Sequence, residues 1–278
     1  MPVKDLTALL LMCAVLSGCG TSPPMPADEL SRRLDEHNLV LIPEGDGPFP
    51  AVLLLHACFG NLGHVDSWAR TLQSMGYAAV VVNSMSARGL EGHFDNVAVC
   101  SGLVMRPADR ARDISLGIEK LSRLDRVDAG RVAVIGFSHG GWTLLEYLGQ
   151  PEDAHSGSVP SADRAAVKSA VVVYPYCGGE VEAGLERWPR EVRVLMLLAG
   201  NDRTVGTSKC ENVARVQSAR GYAISLHVYP NAQHGYDVEP ELVWGYEDRY
   251  DEAAATDTRR RIIEFLGETL RAPASPAD

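Results

Sequence analysis

Six short apolar runs recur along the chain: AVLLLH (51–56), YAAVVVN (77–83), RVAVIG (131–136), SAVVVYP (169–175), RVLMLLAG (193–200) and AISLHVYP (223–230). They are almost continuously apolar and rich in β-branched residues. A strand with one wet face alternates apolar and polar residues, whereas a strand covered on both faces does not need to. Amphipathic helical patterns separate the runs. VDSWARTLQSMG (65–76) ends at a glycine, and PADRARDISLGIEKLSRL (107–124) opens with proline and aligns Ile114, Ile118 and Leu121 on one face. WTLLEYLG follows the third run, and a last helix is expected near 254–270 with Ile262, Phe265 and Leu266 aligned. NLVLIP (38–43) fits an edge strand. Strands alternating with helices predict a mostly parallel sheet wrapped on both sides, with its ligand site at the carboxyl ends of the strands. The 278 residues, 46% of them hydrophobic, suffice for one such domain over 31–278.

The first thirty residues stand apart. Lys4 precedes an apolar stretch from Leu6 to Leu16, followed by Ser17, Gly18 and Cys19. The stretch is short for a membrane span and predicts a signal peptide over 1–18. LSGC resembles the bacterial lipoprotein signal, which implies lipid on Cys19, a tether over 19–30 and a place on the periplasmic side of a cell envelope. Gly20 is not the aspartate that retains such lipoproteins at the inner membrane, so the outer membrane is expected. A net charge of −10 argues against a nucleic-acid partner.

Export implies an oxidising compartment. Cys13 would leave with the signal and Cys19 would carry lipid. Cys58, Cys100, Cys177 and Cys210 remain, and four cysteines permit three pairings.

The chemistry centres on RVAVIGFSHGGW (131–142). GFSHG matches the pattern G-x-S-x-G, which alone recurs by chance. Here a strand run precedes it and a helix pattern follows, the setting in which a serine stands on a sharp turn with backbone N–H groups beside it. Serine needs a base and the base an orienting acid, each after a later strand. His234 in PNAQHGYD and Asp202 in AGNDRTVG occupy those places. Of the other histidines, His56, His64 and His93 lie upstream, His227 lies inside a strand run, and His139 adjoins the serine. Ser138, Asp202 and His234 are therefore the expected triad. The oxyanion donors are expected from the main chains of His139 and, in LLHACFGN, Cys58.

These motifs, with NSMSARG, resemble the dienelactone hydrolase family of α/β-hydrolases over roughly 38–270. The resemblance implies one α/β-hydrolase domain, no cofactor, and hydrolysis of small-molecule esters or lactones. The family's founding activity uses a cysteine nucleophile, where this chain has Ser138, and a glutamate where it has Ala57. A substrate-gripping arginine of the family falls on Arg88, and a second would fall near Val238. A serine esterase is the expectation, in a branch of the family that is exported and carries paired cysteines. The four cysteines all fall near the carboxyl ends of strands, so chain neighbours are expected to pair as Cys58–Cys100 and Cys177–Cys210, as in that branch. Segments 84–105, 150–168 and 176–190 should form the rim of the site. Phe59, Arg88, Trp142, Tyr176, Trp188 and Tyr236 are candidate substrate contacts. The rival readings are a catalytically silent envelope-anchored binding or scaffolding protein on the same fold, and a peptidase, which would usually carry an additional substrate-selecting domain. No metal motif such as HExxH appears.

Overall fold

The computed structural model of the protein describes residues 25–151, 165–179, 181, 184–242 and 248–270. The expected signal peptide, Cys19 and parts of two rim segments lie outside them.

Seven strands form one sheet in the order β1-β3-β2-β4-β5-β6-β7. They are β1 (Leu39–Leu41), β2 (Phe49–Leu55), β3 (Ala78–Val82), β4 (Val127–Phe137), β5 (Val167–Val173), β6 (Arg193–Ala199) and β7 (Ile224–Tyr229). Only β1 runs antiparallel, on β3; every other pairing is parallel. The reason for the continuous apolar runs is visible in β2. Leu53 and Leu55 face one layer of helices, Val52 and Leu54 the other, and all four are fully buried.

The first layer contains α1 (Ala27–His37), α4 (Pro107–Ser122), α5 (His139–Gly149) and α6 (Ser208–Ala219); the second contains α2 (His64–Ser74) and α7 (Glu252–Thr269). A short helix, α3 (His93–Cys100), lies in the long connection between β3 and α4.

Two boundaries differ from expectation. Residues 27–30 belong to α1 rather than to a tether. Leu30 and Leu34, one turn apart, are buried in the core, and Arg33 donates to Glu29 across the same spacing at 3.0 Å. The strand expected from 131 begins at Val127, because a bulge between Asp128 and Val132 shifts its register on β2 without ending the pairing.

Candidate active site

β4 and α5 meet at Ser138, whose φ of 52° and ψ of −114° lie outside the regions that a side-chain-bearing residue prefers. Two backbone bonds hold it there: Ser138 N donates to Val173 O at 2.9 Å, and Trp142 N donates to Ser138 O at 2.9 Å. The flanking glycines permit the crossing of backbone on backbone. A Cβ on Gly136 would stand 2.3 Å from Gly140 O, and one on Gly140 would stand 2.4 Å from Leu55 O.

The loops after β6 and β7 converge on this turn. Ser138 Oγ lies 2.8 Å from His234 Nε2, and His234 Nδ1 lies 2.7 Å from Asp202 Oδ2. The other Asp202 oxygen accepts from Thr204 N at 2.9 Å and Val205 N at 3.0 Å. Burial raises the Asp202 carboxyl, but His234 and these two N–H groups outweigh it and hold the group below its ordinary value. It therefore stays ionised where it meets the imidazole.

β2 and β4 are neighbours in register, Leu55 opposite Gly136. The loop His56–Cys58 thus runs beside the serine turn. His139 is the first residue of α5, where a helix leaves its N–H groups without intrahelical partners.

The sequence did not single out Arg110, which is completely buried behind these two backbones. It donates to His56 O at 3.0 Å and to Ser84 Oγ at 2.9 Å, and its Nη1 lies 3.0 Å from His139 Nδ1. Arginine only donates, so His139 Nδ1 accepts and Nε2 carries the ring proton. Burial, then the charge of Arg110, lowers His139 well below its usual value and keeps it neutral. Burial pulls Arg110 itself down to about 9, despite Asp113 nearby. A signal was present: Arg110 lies four residues before Ile114, on the apolar face of α4.

Asp113 is taken by another arginine. Arg88 makes a two-pronged contact with it, at 2.7 and 2.8 Å, and donates to Ser84 O at 3.0 Å. This corrects the expectation of a substrate contact: Arg88 is an internal ion pair and does not line the pocket. Tyr236 is corrected too. It is fully buried in the core, with its hydroxyl 2.7 Å from Thr258 Oγ1. Trp188 is likewise buried, next to Tyr222.

A pocket of about 550 Å³ opens over Ser138 and His234. Phe59, Trp142 and Tyr176, three of the candidate substrate contacts, line it with Leu62, Val65 and Val238. Trp142 packs on Tyr176 at 4.6 Å and donates to Glu146 at 2.9 Å. Arg249, which the sequence did not single out, also lines the pocket. A second His–Asp pair reaches the pocket through His64: Asp237 accepts from Tyr174 at 2.5 Å and lies 3.1 Å from His64 Nε2. The Tyr174 ring, which also lines the pocket, stands 4.9 Å from that of His234 and packs against the imidazole.

Both disulfides form as expected, Cys58–Cys100 and Cys177–Cys210. The first joins the loop after β2 to the end of α3 and borders the pocket. The second joins the loop after β5 to α6 within the core.

A parallel sheet layered by helices, with a strained serine between strand and helix, defines an α/β-hydrolase. Within that class the dienelactone hydrolase family matches residues 37–270, and the chain belongs to it. A Yersinia pestis protein named "Putative carboxymethylenebutenolidase" is 24% identical over 260 residues, covering 89% of this chain and 87% of its own. Two solved structures share the fold. A dienelactone hydrolase-like promiscuous phosphotriesterase from metagenomic libraries has a TM-score of 0.63 at 19% identity, covering 82% of this chain and 89% of its own. An esterase of Thermogutta terrifontis has a TM-score of 0.57 at 16% identity, covering 86% and 90%.

Proposed function

We propose that the protein is a serine hydrolase that cleaves carboxylic esters or lactones through an acyl-enzyme. The observation that carries this reading is the chain of contacts from Ser138 Oγ through His234 to Asp202 at the floor of an apolar pocket. Ser138 Oγ attacks the ester carbonyl carbon as its proton passes to His234 Nε2. Asp202 keeps Nδ1 protonated and stabilises the imidazolium. The carbonyl oxygen becomes an oxyanion held by the N–H groups of His139 and Cys58. Collapse breaks the bond to the leaving alkoxide, which takes the proton from His234. Water then gives a proton to His234 as it attacks the acyl carbon, and collapse breaks the bond to Ser138 Oγ, which takes that proton back from His234 as the acid leaves.

Arg110 serves as a positioning residue in this scheme. It grips the His56 carbonyl on the Cys58 side and the His139 ring on the other, so one guanidinium sets both halves of the oxyanion site. Arg88 is committed to Asp113 and Val238 stands where a second family arginine would fall, which favours esters without an acid group.

The names of the Yersinia relative and of the Thermogutta esterase accord with this reading. Hydrolysis of p-nitrophenyl esters, with fluorophosphonate labelling of Ser138, tests it. Labelling without turnover on any ester, or unchanged turnover in Ser138→Ala, would overturn it. No labelling at all would favour the silent scaffold.

We further propose export and lipid attachment at Cys19, supported by the apolar stretch and small residues before it. Labelled fatty acid should enter the wild-type protein and not Cys19→Ala. Complete release of the wild type by osmotic wash, without lipid mass, contradicts this.

A further inference from the structure

The rim of the pocket carries apolar side chains facing water. Phe94 is 87% exposed and Leu103 81%, the highest values among the large exposed hydrophobic residues described, with Val97 at 61% and Val104 at 40%. Leu62, itself a lining residue, is 41% exposed.

The arrangement on α3 inverts what a core helix does. Phe94, Val97 and Ser101 follow the spacing i, i+3, i+7 and share one face, and Ser101 on that face lines the pocket. Val99, on the opposite face, is fully buried among Cys58, Met85 and Met105. The helix is also fixed in place. Cys100 is bonded to Cys58, and Gly102 lies against Trp142, whose ring a Cβ there would meet at 3.3 Å. The outward apolar face is therefore held beside Cys100 and Ser101, which line the pocket together with Phe59, Leu62 and Trp142.

Large apolar groups clustered on eleven residues mark an interaction surface. We propose that this rim docks on a neutral lipid–water surface and draws ester substrates from it. The proposal rests on the serine-esterase reading and narrows its substrate to lipid-soluble esters. Three observations select lipid as the occupant. The apolar surface flanks Cys100 and Ser101, which line the pocket over Ser138, rather than lying elsewhere in the chain. Segment 91–105 contains Glu91 and Asp95 and no lysine or arginine, so it suits a neutral surface rather than an anionic one. Finally, Cys19 precedes Met25 by six residues, a span of about 20 Å when extended. The carbonyl of Met25 accepts from Arg112 at 3.3 Å, on the helix that begins three residues after Val104. A lipid on Cys19 would thus hold this corner of the fold within reach of the membrane.

The test uses the full chain carrying Cys19→Ser, so that no attached lipid contributes, with and without the pair Phe94→Asp and Leu103→Asp. Tributyrin hydrolysis should rise steeply once the ester exceeds its solubility. The pair should lower the emulsion rate at least about tenfold, the scale of one large apolar side chain kept out of hydrocarbon. Turnover of dissolved p-nitrophenyl acetate should stay within about twofold, because no altered residue touches the reacting atoms. Neutral phosphatidylcholine vesicles should float the parent protein and not the substituted one. Turnover of p-nitrophenyl acetate with neither a step on tributyrin nor flotation would overturn this proposal and leave the esterase reading intact. Flotation without turnover of either ester would sink the esterase reading instead. A dimer in sedimentation that the pair dissolves would also overturn it, since the rim would then be a contact between copies of this chain.

Discussion

The inner and outer walls of the pocket are built on opposite terms. Along the inner wall the polar groups are buried and joined: Ser138 to His234 to Asp202, and Arg110 to His56, Ser84 and His139. Each side chain there is fixed by a partner that is itself fixed. Along the outer rim Phe94, Val97 and Leu103 lie open to solvent, while Cys100, Val99 and Gly102 hold the segment. Chemistry needs donors held to a fraction of an ångström, which costs conformational freedom throughout the surrounding network. Capture of an apolar molecule needs area, and area tolerates imprecision. Substitutions on the inner wall should therefore change turnover, and those on the outer wall should change what is turned over.

Ser138→Ala should give the largest effect, a loss in turnover of about 10⁴-fold or more with melting little changed. Next is Arg88→Ala. It strands the buried Asp113 carboxylate and should cost about 3–5 kcal/mol in denaturant unfolding. Because Arg88 does not line the pocket, the ratio of efficiencies for acidic and neutral esters should not move; a change in that ratio would return Arg88 to the site.

Replacing the cysteine pairs sharpens the contrast further. Their loops span 42 and 33 residues, and each should be worth about 4 kcal/mol on the chain-entropy account. Equal in stability, they should be unequal in function: removing Cys58–Cys100 should alter KM across an ester series, and removing Cys177–Cys210 should leave the series in order. Arg110→Met should lower kcat about 10²-fold with KM little changed, as loss of one oxyanion donor does. Affinity for a boronic acid that forms a tetrahedral adduct should fall in step. His139→Leu, a milder change, should move both measures in the same direction, and unchanged boronic acid binding in both would leave Arg110 a purely structural residue.

The smallest effect concerns acid. The folded Asp202 carboxyl lies below its ordinary value, so its contribution to stability is present above the unfolded pKa and is lost as pH falls through the lower folded one. Asp202→Asn lacks that contribution. The gap in unfolding free energy between the two proteins should be widest near neutrality and should close below about pH 4, near the ordinary carboxylate value. A gap that persists at pH 3 would show that the loss comes from packing.

The runs in β2 to β6 were legible because both their faces are covered there, which leaves few polar residues to interrupt them, whereas β7, at the sheet edge, is half exposed. Ser138, Asp202 and His234 were legible because each follows a strand, and a parallel sheet delivers such positions to one edge. α1 was obscured by the proline-rich run before it and by having only Leu30 and Leu34 to bury. Arg88 and Tyr236 misled for a shared reason: proximity in sequence to a site says nothing about direction. Asp113, on the inner face of α4, turns the Arg88 side chain inward, and Thr258 on α7 receives the Tyr236 hydroxyl beneath the sheet. Arg110 needed one further step, treating a charged residue on an apolar helix face as a buried one.

The contact between Gly140 and the carbonyls of Leu55 and His56 sets a boundary on how this enzyme can diversify. Two main chains meet there with no side chain between them, 2.4 and 2.8 Å from where a Cβ would stand. The spacing between the serine turn and the loop after β2 is thus written in backbone alone, and no substitution at Gly140 can adjust it by degrees. A lineage seeking new substrates would keep this joint unchanged and vary the pieces hung around it. A mutational library should show the same division, with position 140 accepting glycine alone while the exposed positions 94, 97, 103 and 104 accept broad replacement and return altered preferences.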